Sequence, residues 1–402
     1  MSERAMSRLL TGLMVLMVGW TPADAQKSPR PNQLLTRVAF GSCAHQELEQ
    51  PIWDAVLAYK PEVFIFTGDN VYGDILDGKT VSDDQILASL ATAYARSEVI
   101  PGYRALRASV PHLAVWDDHD YGKNDGGADF VHRDASQKLF ADFWKLPVDD
   151  ARRQRPGIYH AETYGPPGAR VQVVLLDTRY FRSPLKATDQ RGAKGRERYV
   201  PDDDPGKTML GPEQWTWLAQ RLKEPADIRL VVSSIQVLAE GHGFERWGNL
   251  ALEHKRFLGL LREASGQIVL LSGDRHIGAI YRHHRPGGSP IHEITASGLT
   301  HAYPGADEPG PNRLGALYGA PNFGTIDIDV VEEDDQVFSP LGGARNRRDR
   351  DHGGRGRSGK RRVPCDREAG ARSPHHARQV DRLRREQATA SSCLPSVVPT
   401  PA

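Results

Sequence analysis

The chain predicts an α/β protein in which helices cover one sheet or a pair of sheets. Three observations carry that expectation. Short apolar runs alternate with segments of helical spacing through most of the first 338 residues. Three of those runs end in acidic and imidazole residues: Val63–Thr67 in Gly68-Asp69, His112–Trp116 in Asp117-Asp118-His119, and Ile268–Ser272 in Gly273-Asp274-Arg275-His276. No internal repeat interrupts the alternation.

The elements follow in order. Arg37–Phe40 reads as a short strand leading into Gly41-Ser42-Cys43. Ile52–Tyr59 has helical spacing and stops before Pro61. Val63–Thr67 is a buried strand. Ser82–Arg96 is a helix with Ser82 as its N-cap, and Tyr103–Ser109 is a short helix. His112–Trp116 is a strand, followed by the polar loop Lys123-Asn124-Asp125-Gly126-Gly127. Ala135–Trp144 is helical, and Gly157–Tyr164 and Arg170–Asp177 are extended. Residues 182–209 carry many charges, Pro and Gly without periodicity, which is long for a structureless loop and suggests a functional lid. Pro212–Leu222 is a helix with Pro near its start. Then come a strand at Arg229–Ser233, a helix at Leu252–Glu263 and a strand at Ile268–Ser272. Short strands at Ala279–His283, Ile291–Ala296 and Thr325–Val330 complete the pattern.

Composition divides the chain into three parts. Residues 1–25 read as a secretory signal: Arg4 and Arg8 form a positive start, Leu9–Trp20 is largely apolar, and Ala23-Asp24-Ala25 is an A-x-A cleavage site. The competing reading is a membrane anchor, but the apolar run is shorter than the roughly 20 residues a span needs. An exported, soluble mature protein is expected, periplasmic or extracellular. Residues 26–35 are a polar linker, and 36–338 form the domain that carries the strand-end motifs. The last part, 339–402, contains 15 Lys+Arg and 6 Asp+Glu without apolar periodicity, while the whole chain is only +1. The body is therefore acidic. The tail is expected to be disordered, with an out-of-frame origin as an alternative, and its removal is expected to leave activity unchanged.

The strand ends hold the chemistry. Like charges packed together are costly unless a cation or proton compensates. Asp69, Asp118, His119, Asp274 and His276 thus point to one metal site built from distant segments. Tyr72, three residues after Asp69, can reach the same centre. Asp274 and His276, two apart, face the same side in extended geometry. Each residue alone has a plainer role: Asp69 as a helix cap, Tyr72 in packing, Cys43 as a buried structural thiol. Export permits disulfides, yet the chain has only three cysteines.

The motifs Phe40-Gly41-Ser42-Cys43, Thr67-Gly68-Asp69-Asn70-Val71-Tyr72-Gly73, Trp116-Asp117-Asp118-His119-Asp120-Tyr121-Gly122-Lys123-Asn124-Asp125, Leu176-Asp177-Thr178-Arg179-Tyr180, Ser233-Ser234-Ile235-Gln236 and Ser272-Gly273-Asp274-Arg275-His276 occur in this order. Together they resemble the alkaline phosphatase D (PhoD-like) family of metallophosphoesterases, over about residues 37–330. The resemblance implies a calcineurin-like fold, two stacked β-sheets flanked by helices, with ferric iron and calcium at the strand ends. It assigns Cys43, Tyr72 and His276 to iron, Asp69 as a bridge, and Asp118 and Asp274 to the second metal, with Ser42 or Asn70 as further contributors. Thiolate, phenolate and imidazole suit iron, and carboxylates suit calcium.

The implied reaction is phosphoric ester hydrolysis, monoester or diester. Two metals neutralise the ester and generate a hydroxide that attacks phosphorus in line. His119 is expected to protonate the leaving alkoxide, or else to hydrogen-bond a metal-bound carboxylate. Arg179 is expected to clamp a phosphate oxygen, or else to pair with Asp177. Asn124 and Gln236 are expected to position substrate or water, and His242, Glu245 and Trp247 to shape the pocket. Two other readings stay open. A non-catalytic calcium-binding protein would explain the acids but not Cys43, Tyr72 and His276. Nucleic-acid binding through the tail sits poorly with the acidic body, and specific nucleic-acid binding is not expected.

Overall fold

A computed structural model of the chain describes residues 32–329. The signal segment 1–25 and the tail 339–402 lie outside the described residues. In chain order the elements are β1 (Arg37–Gly41), α1 (Ile52–Tyr59), β2 (Val63–Thr67), a small hairpin of β3 (Ile75–Leu76) and β4 (Lys79–Thr80), α2 (Ile86–Glu98), α3 (Pro101–Ser109), β5 (His112–Val115), α4 (Asp118–Tyr121), α5 (Arg133–Phe143) and α6 (Ala151–Gln154). They continue with β6 (His160–Tyr164), β7 (Val171–Leu175), α7 (Gly211–Arg221), β8 (Ile228–Val232), α8 (Ala251–Glu263), β9 (Gln267–Ser272), β10 (Gly278–His283), β11 (Ile291–Ala296), β12 (Arg313–Tyr318) and β13 (Gly324–Asp327).

The strands form two main sheets. The first has the order β13-β1-β2-β5, with β1, β2 and β5 parallel. The second has the order β12-β10-β11-β9-β8-β7-β6, with β7, β8, β9 and β11 parallel. Parallel neighbours need crossovers; α1 to α3, α7 and α8 supply those of β1–β2, β2–β5, β7–β8 and β8–β9, while β9 and β11 are joined through β10.

Strand periodicity decides how the sheets pack. Val173, Leu175, Leu230, Val232, Val269 and Leu271 share one core with Phe40, Ile65 and Val115 of the first sheet. The intervening Val174, Val231 and Leu270 face a second core with Trp215 and Leu218 of α7 and Phe257 and Leu261 of α8. The two sheets are therefore stacked, with α7 and α8 outside the larger one. Helices α1, α2, α3 and α5 contribute Trp53, Leu90, Leu106 and Phe140 to the first core. Trp53 is fully buried and packs its ring against Phe64, Phe66 and Tyr103. Truncating such a residue costs about 3–5 kcal/mol.

The expected elements form, with local differences. Ser82 does not cap α2, which begins at Ile86; the Ser82 hydroxyl bonds Gln85 in the preceding turn instead. The short α4 and α6, the β3–β4 hairpin and the edge strand β12 were not expected from the sequence. Residues 182–209 form neither helix nor strand and are tied down by isolated bridges such as Asp202 with Leu250. No helix among the described residues is long and apolar enough to cross a membrane.

Candidate metal centre

The C-terminal ends of parallel strands from both sheets converge, the usual ligand position in open α/β sheets. Cys43 follows β1, Asp69 and Tyr72 follow β2, Asp118 and His119 follow β5, and Asp274 and His276 follow β9. The backbone turns inward by left-handed conformations that L-residues rarely adopt: φ is 65° at Cys43, 46° at Asp69, 68° at Asp274 and 53° at His276. Asp274 and His276 thus meet the same centre through a tight turn, not through extended spacing. The glycines before the two aspartates allow the strand ends to touch. A Cβ on Gly68 would lie 2.6 Å from the Asp117 Cβ, and one on Gly273 would lie 2.4 Å from the Ser42 Oγ.

Four donor groups result, two of them being Asp69, Asp118 and His119, and Asp118, Asp125 and Glu245. Cys43, Asp69 and His276 each offer an atom within 4.8 Å of the others, and Asp69, Asp117, Asp118 and Asp274 do the same. Asp69 belongs to both of the latter. Its Oδ2 is 3.4 Å from the Cys43 Sγ. The Tyr72 hydroxyl is 3.1 Å from His276 Nε2. Asp117 was not among the expected ligands; its Oδ2 is buried without a hydrogen-bond partner, as is His276 Nδ1.

Burial sets the electrostatics. It pushes the Cys43 thiol up to about 12. It also raises Asp69 and Asp274 well above the usual carboxylate range, helped in Asp69 by Cys43 and in Asp274 by Asp117. His276 is driven down to about 2 by burial and the neighbouring His301 and His119. For Asp118 burial pushes upward, but the charges of His119 and Arg179 outweigh it and hold the carboxyl below its ordinary value. A cation in the cluster reverses this logic, favouring thiolate, carboxylate and neutral imidazole. The orphaned Asp117 oxygen and His276 nitrogen, with a mixed sulfur, nitrogen and oxygen donor set, fit bound metal.

His119 is locked in place. Its Nδ1 is 2.6 Å from the Asp74 carboxylate, its backbone N–H donates to Asp118 at 3.0 Å, and its ring stacks on Tyr72. Burial lowers its basicity, but Asp118, Asp69 and Asp74 together raise it well above the usual histidine range. Asp120 reaches back from α4 to accept the Asp117 N–H at 2.6 Å and also accepts from the Asn70 side chain.

Arg179 is fully buried. Its guanidinium lies within 2.5 Å of Asp117 and 2.6 Å of Glu245, and Glu245 also pairs with Arg182 at 2.7 Å. Its backbone N–H, not its guanidinium, meets Asp177. Asn124 is exposed, while its neighbour Asp125 turns in and donates its N–H to Asp118 Oδ2 at 2.7 Å. Ser42 lies 3.4 Å from Cys43. Asn70 holds Val115 and Asp120 with its amide nitrogen and leaves its buried Oδ1 unpartnered. Gln236 bonds His242, Tyr281 and Thr295, and Trp247 bonds Ser233, so these three lie in the supporting core. Asp74, Asp117, Asp125 and the segment Ser297–His301 were missed in the sequence. The last had a signal: strand Ile291–Ala296 also runs into small residues and then a histidine.

A two-sheet α/β sandwich that gathers carboxylates, a thiol, a phenol and imidazoles at its strand ends is an architecture of the metallophosphoesterase type. The chain belongs to the PhoD-like phosphatase family, whose model matches residues 38–320. Among solved structures it is similar to one of PhoD, with a TM-score of 0.60 and 18% identity, covering 75% of this chain and 66% of that one. A dimetal phosphatase from Danio rerio has a TM-score of 0.41 and 15% identity over 73% of this chain and 99% of its own. A 5'-nucleotidase from Candida albicans has a TM-score of 0.33 and 12% identity over 69% and 49%. At these identities the PhoD likeness is one of fold, and the chain spans 66% of the length of that PhoD chain. No curated protein sequence matches the chain.

Proposed function

We propose that this chain is an exported, metal-dependent phosphoric ester hydrolase of the alkaline phosphatase or phosphodiesterase type. The observation that carries the proposal is the position of Asp69. It stands in both a thiol–imidazole group and an all-carboxylate group, as a ligand bridging two metals would. Cys43, Tyr72 and His276 would hold iron, and Asp118 and Asp274, joined by Asp117, would hold calcium. When bound, the metals would neutralise ester oxygens and make water nucleophilic near neutral pH. Export rests on the residues 1–25 pattern.

The protein's own groups then do the following. His119 holds its Nδ1 on Asp74, which leaves Nε2 to give a proton to the departing alkoxide. Arg179 positions Asp117 and Glu245 and acts through them, because its buried guanidinium is already engaged by carboxylates. Asn124 is exposed beside the site, and Asp125 fixes Asp118. The 182–209 segment bonds Asp125 through Arg198 at 2.7 Å and Tyr199 at 2.8 Å. It therefore borders the site and would decide whether a second ester group fits.

The test is hydrolysis of a chromogenic phosphomonoester and a phosphodiester by the purified mature chain, before and after chelation. Activity lost on chelation and restored by iron with calcium, better than by zinc, supports the proposal. Hydrolysis that survives complete metal removal overturns it.

A further inference from the structure

The 182–209 segment carries an arginine to the carboxylate side of the centre and holds it there. The Arg198 and Tyr199 N–H groups both donate to the Gly243 carbonyl, at 2.9 and 2.7 Å, and the Arg198 carbonyl accepts the Thr188 N–H at 2.9 Å. The Gly243 N–H donates to the Glu197 carboxylate. A side chain at 243 would push the segment away, because a Cβ there would lie 2.4 Å from the Glu197 nitrogen. With its backbone fixed, Arg198 places Nη1 2.7 Å from Asp125 Oδ2. Tyr199 donates to the same oxygen at 2.8 Å. Asp125 shares a donor group with Asp118 and Glu245 and gives its N–H to Asp118. The Arg198 guanidinium is thus one carboxylate removed from Asp118.

Arg198 differs from the other arginines bordering the centre. Arg179 and Arg182 are fully buried against Glu245, and Arg275 is buried and paired with Glu308. The Arg198 side chain is 37% exposed. Its Nε and Nη2 have no hydrogen-bond partner among the described residues. These two nitrogens form one edge of the planar guanidinium, the kind of edge that meets an oxyanion with two parallel hydrogen bonds. Burial opposes the charge, but Asp125 outweighs it, helped by Tyr199 and Asp274, and holds Arg198 above its ordinary basicity.

A phosphomonoester has three non-bridging oxygens, over which charge spreads in the transition state. Metals held by the two groups joined through Asp69 would account for two of them. The third is left to a protein donor. In a diester that position bears the second ester group and no charge.

We propose that Arg198 binds the third non-bridging oxygen of a phosphomonoester and so selects monoesters over diesters. The inference rests on the proposed function and names the ester class of that same site. It gives Arg198 the phosphate-clamping role expected from the sequence at Arg179.

The test uses the full mature holoprotein. Arg198→Lys keeps the charge and loses the fork, and Arg198→Met loses both. Tyr199→Phe removes the other brace on Asp125 and leaves Arg198 in place. Each is compared with wild type for inorganic phosphate affinity by calorimetric titration, metal content by elemental analysis, and kcat/KM on a monoester and a diester with one leaving group. The thermal melt reports folding. Wild type should favour the monoester. Arg198→Met should bind phosphate at least about tenfold more weakly and lose about 100-fold in monoester kcat/KM, with the diester within about threefold of wild type. Its metal content should be unchanged, and Arg198→Lys should fall between. Tyr199→Phe should keep the wild-type monoester-to-diester ratio. If Arg198→Met fails to fold, Arg198→Lys decides. A folded, metal-loaded variant with wild-type phosphate affinity, an equal loss on both esters, or a wild type faster on the diester overturns the inference and leaves the hydrolase standing. Metal loss in Arg198→Met also overturns it, making Arg198 only a brace for Asp125. A wild-type protein that hydrolyses neither ester overturns the proposed function as well.

Discussion

The rings of Tyr72 and His119 stack with centroids 4.1 Å apart and planes 28° from parallel. A side chain from the turn after β2 and one from the turn after β5 therefore form one packed unit, with His45 stacked at 4.5 Å as well. Tyr72→Phe keeps the stack and removes only the oxygen. It should lower metal content and reduce kcat/KM by about 10–1000-fold while leaving the melting temperature within a few degrees. Tyr72→Ala should also loosen His119 and fall further in kcat. Equal kcat for the two variants would argue against the stack as a positioning device.

Asp74 touches His119 at 2.6 Å but belongs to none of the donor groups. Asp74→Asn should therefore reduce kcat by about 10–100-fold with metal content unchanged. His119→Ala should cost more, about 100–10,000-fold, as general acids do. Steady-state kinetics alongside elemental analysis would show the pattern; metal loss in Asp74→Asn would place Asp74 in the metal site instead.

Arg179 compensates two buried carboxylates, Asp117 and Glu245. Removing one partner of a buried pair leaves an uncompensated charge and costs about 3–5 kcal/mol. Arg179→Met should shift the urea midpoint down accordingly. Glu245→Gln should be milder, because burial already raises this carboxyl to about 7 and Arg182 keeps the Asp125 and Gly126 carbonyls. A larger loss in Glu245→Gln than in Arg179→Met would contradict this account of the network.

His112 lies in β5, away from the strand ends that carry the site, and burial lowers it from 6.5 to about 4. The unfolded chain binds a proton here between these values and the folded chain does not. The stability contribution is therefore complete above about pH 6.5 and is lost as pH falls towards 4. His112→Phe should reduce the slope of unfolding free energy against pH in that window by up to about 1.4 kcal/mol per pH unit. Denaturant titrations at several pH values would read it, and an unchanged slope would remove His112 from the acid response.

Periodicity made the layered fold legible because buried parallel strands read as short apolar runs. The strand-end Asp and His residues were legible because charges there have no packing role. What stayed hidden depended on distance in space. Asp117 looked like part of an acidic run until its Oδ2 was seen to be orphaned beside Asp69 and Asp274. Nothing local marked Asp74 as the partner of a histidine 45 residues on. From the sequence Arg179 is expected to clamp a phosphate oxygen or else to pair with Asp177, whereas its guanidinium meets Asp117 and Glu245 from distant segments. Ser82 had the right chemistry for a cap, but α2 begins four residues later.

The most direct measurement is metal stoichiometry in wild type and three variants purified together. The account predicts two kinds of metal in wild type. Cys43→Ser should lose chiefly the transition metal, Asp274→Asn chiefly calcium, and Asp69→Asn both. Retention of full metal content by Asp69→Asn, or the same single loss in all three variants, would contradict a centre of two metals joined through Asp69.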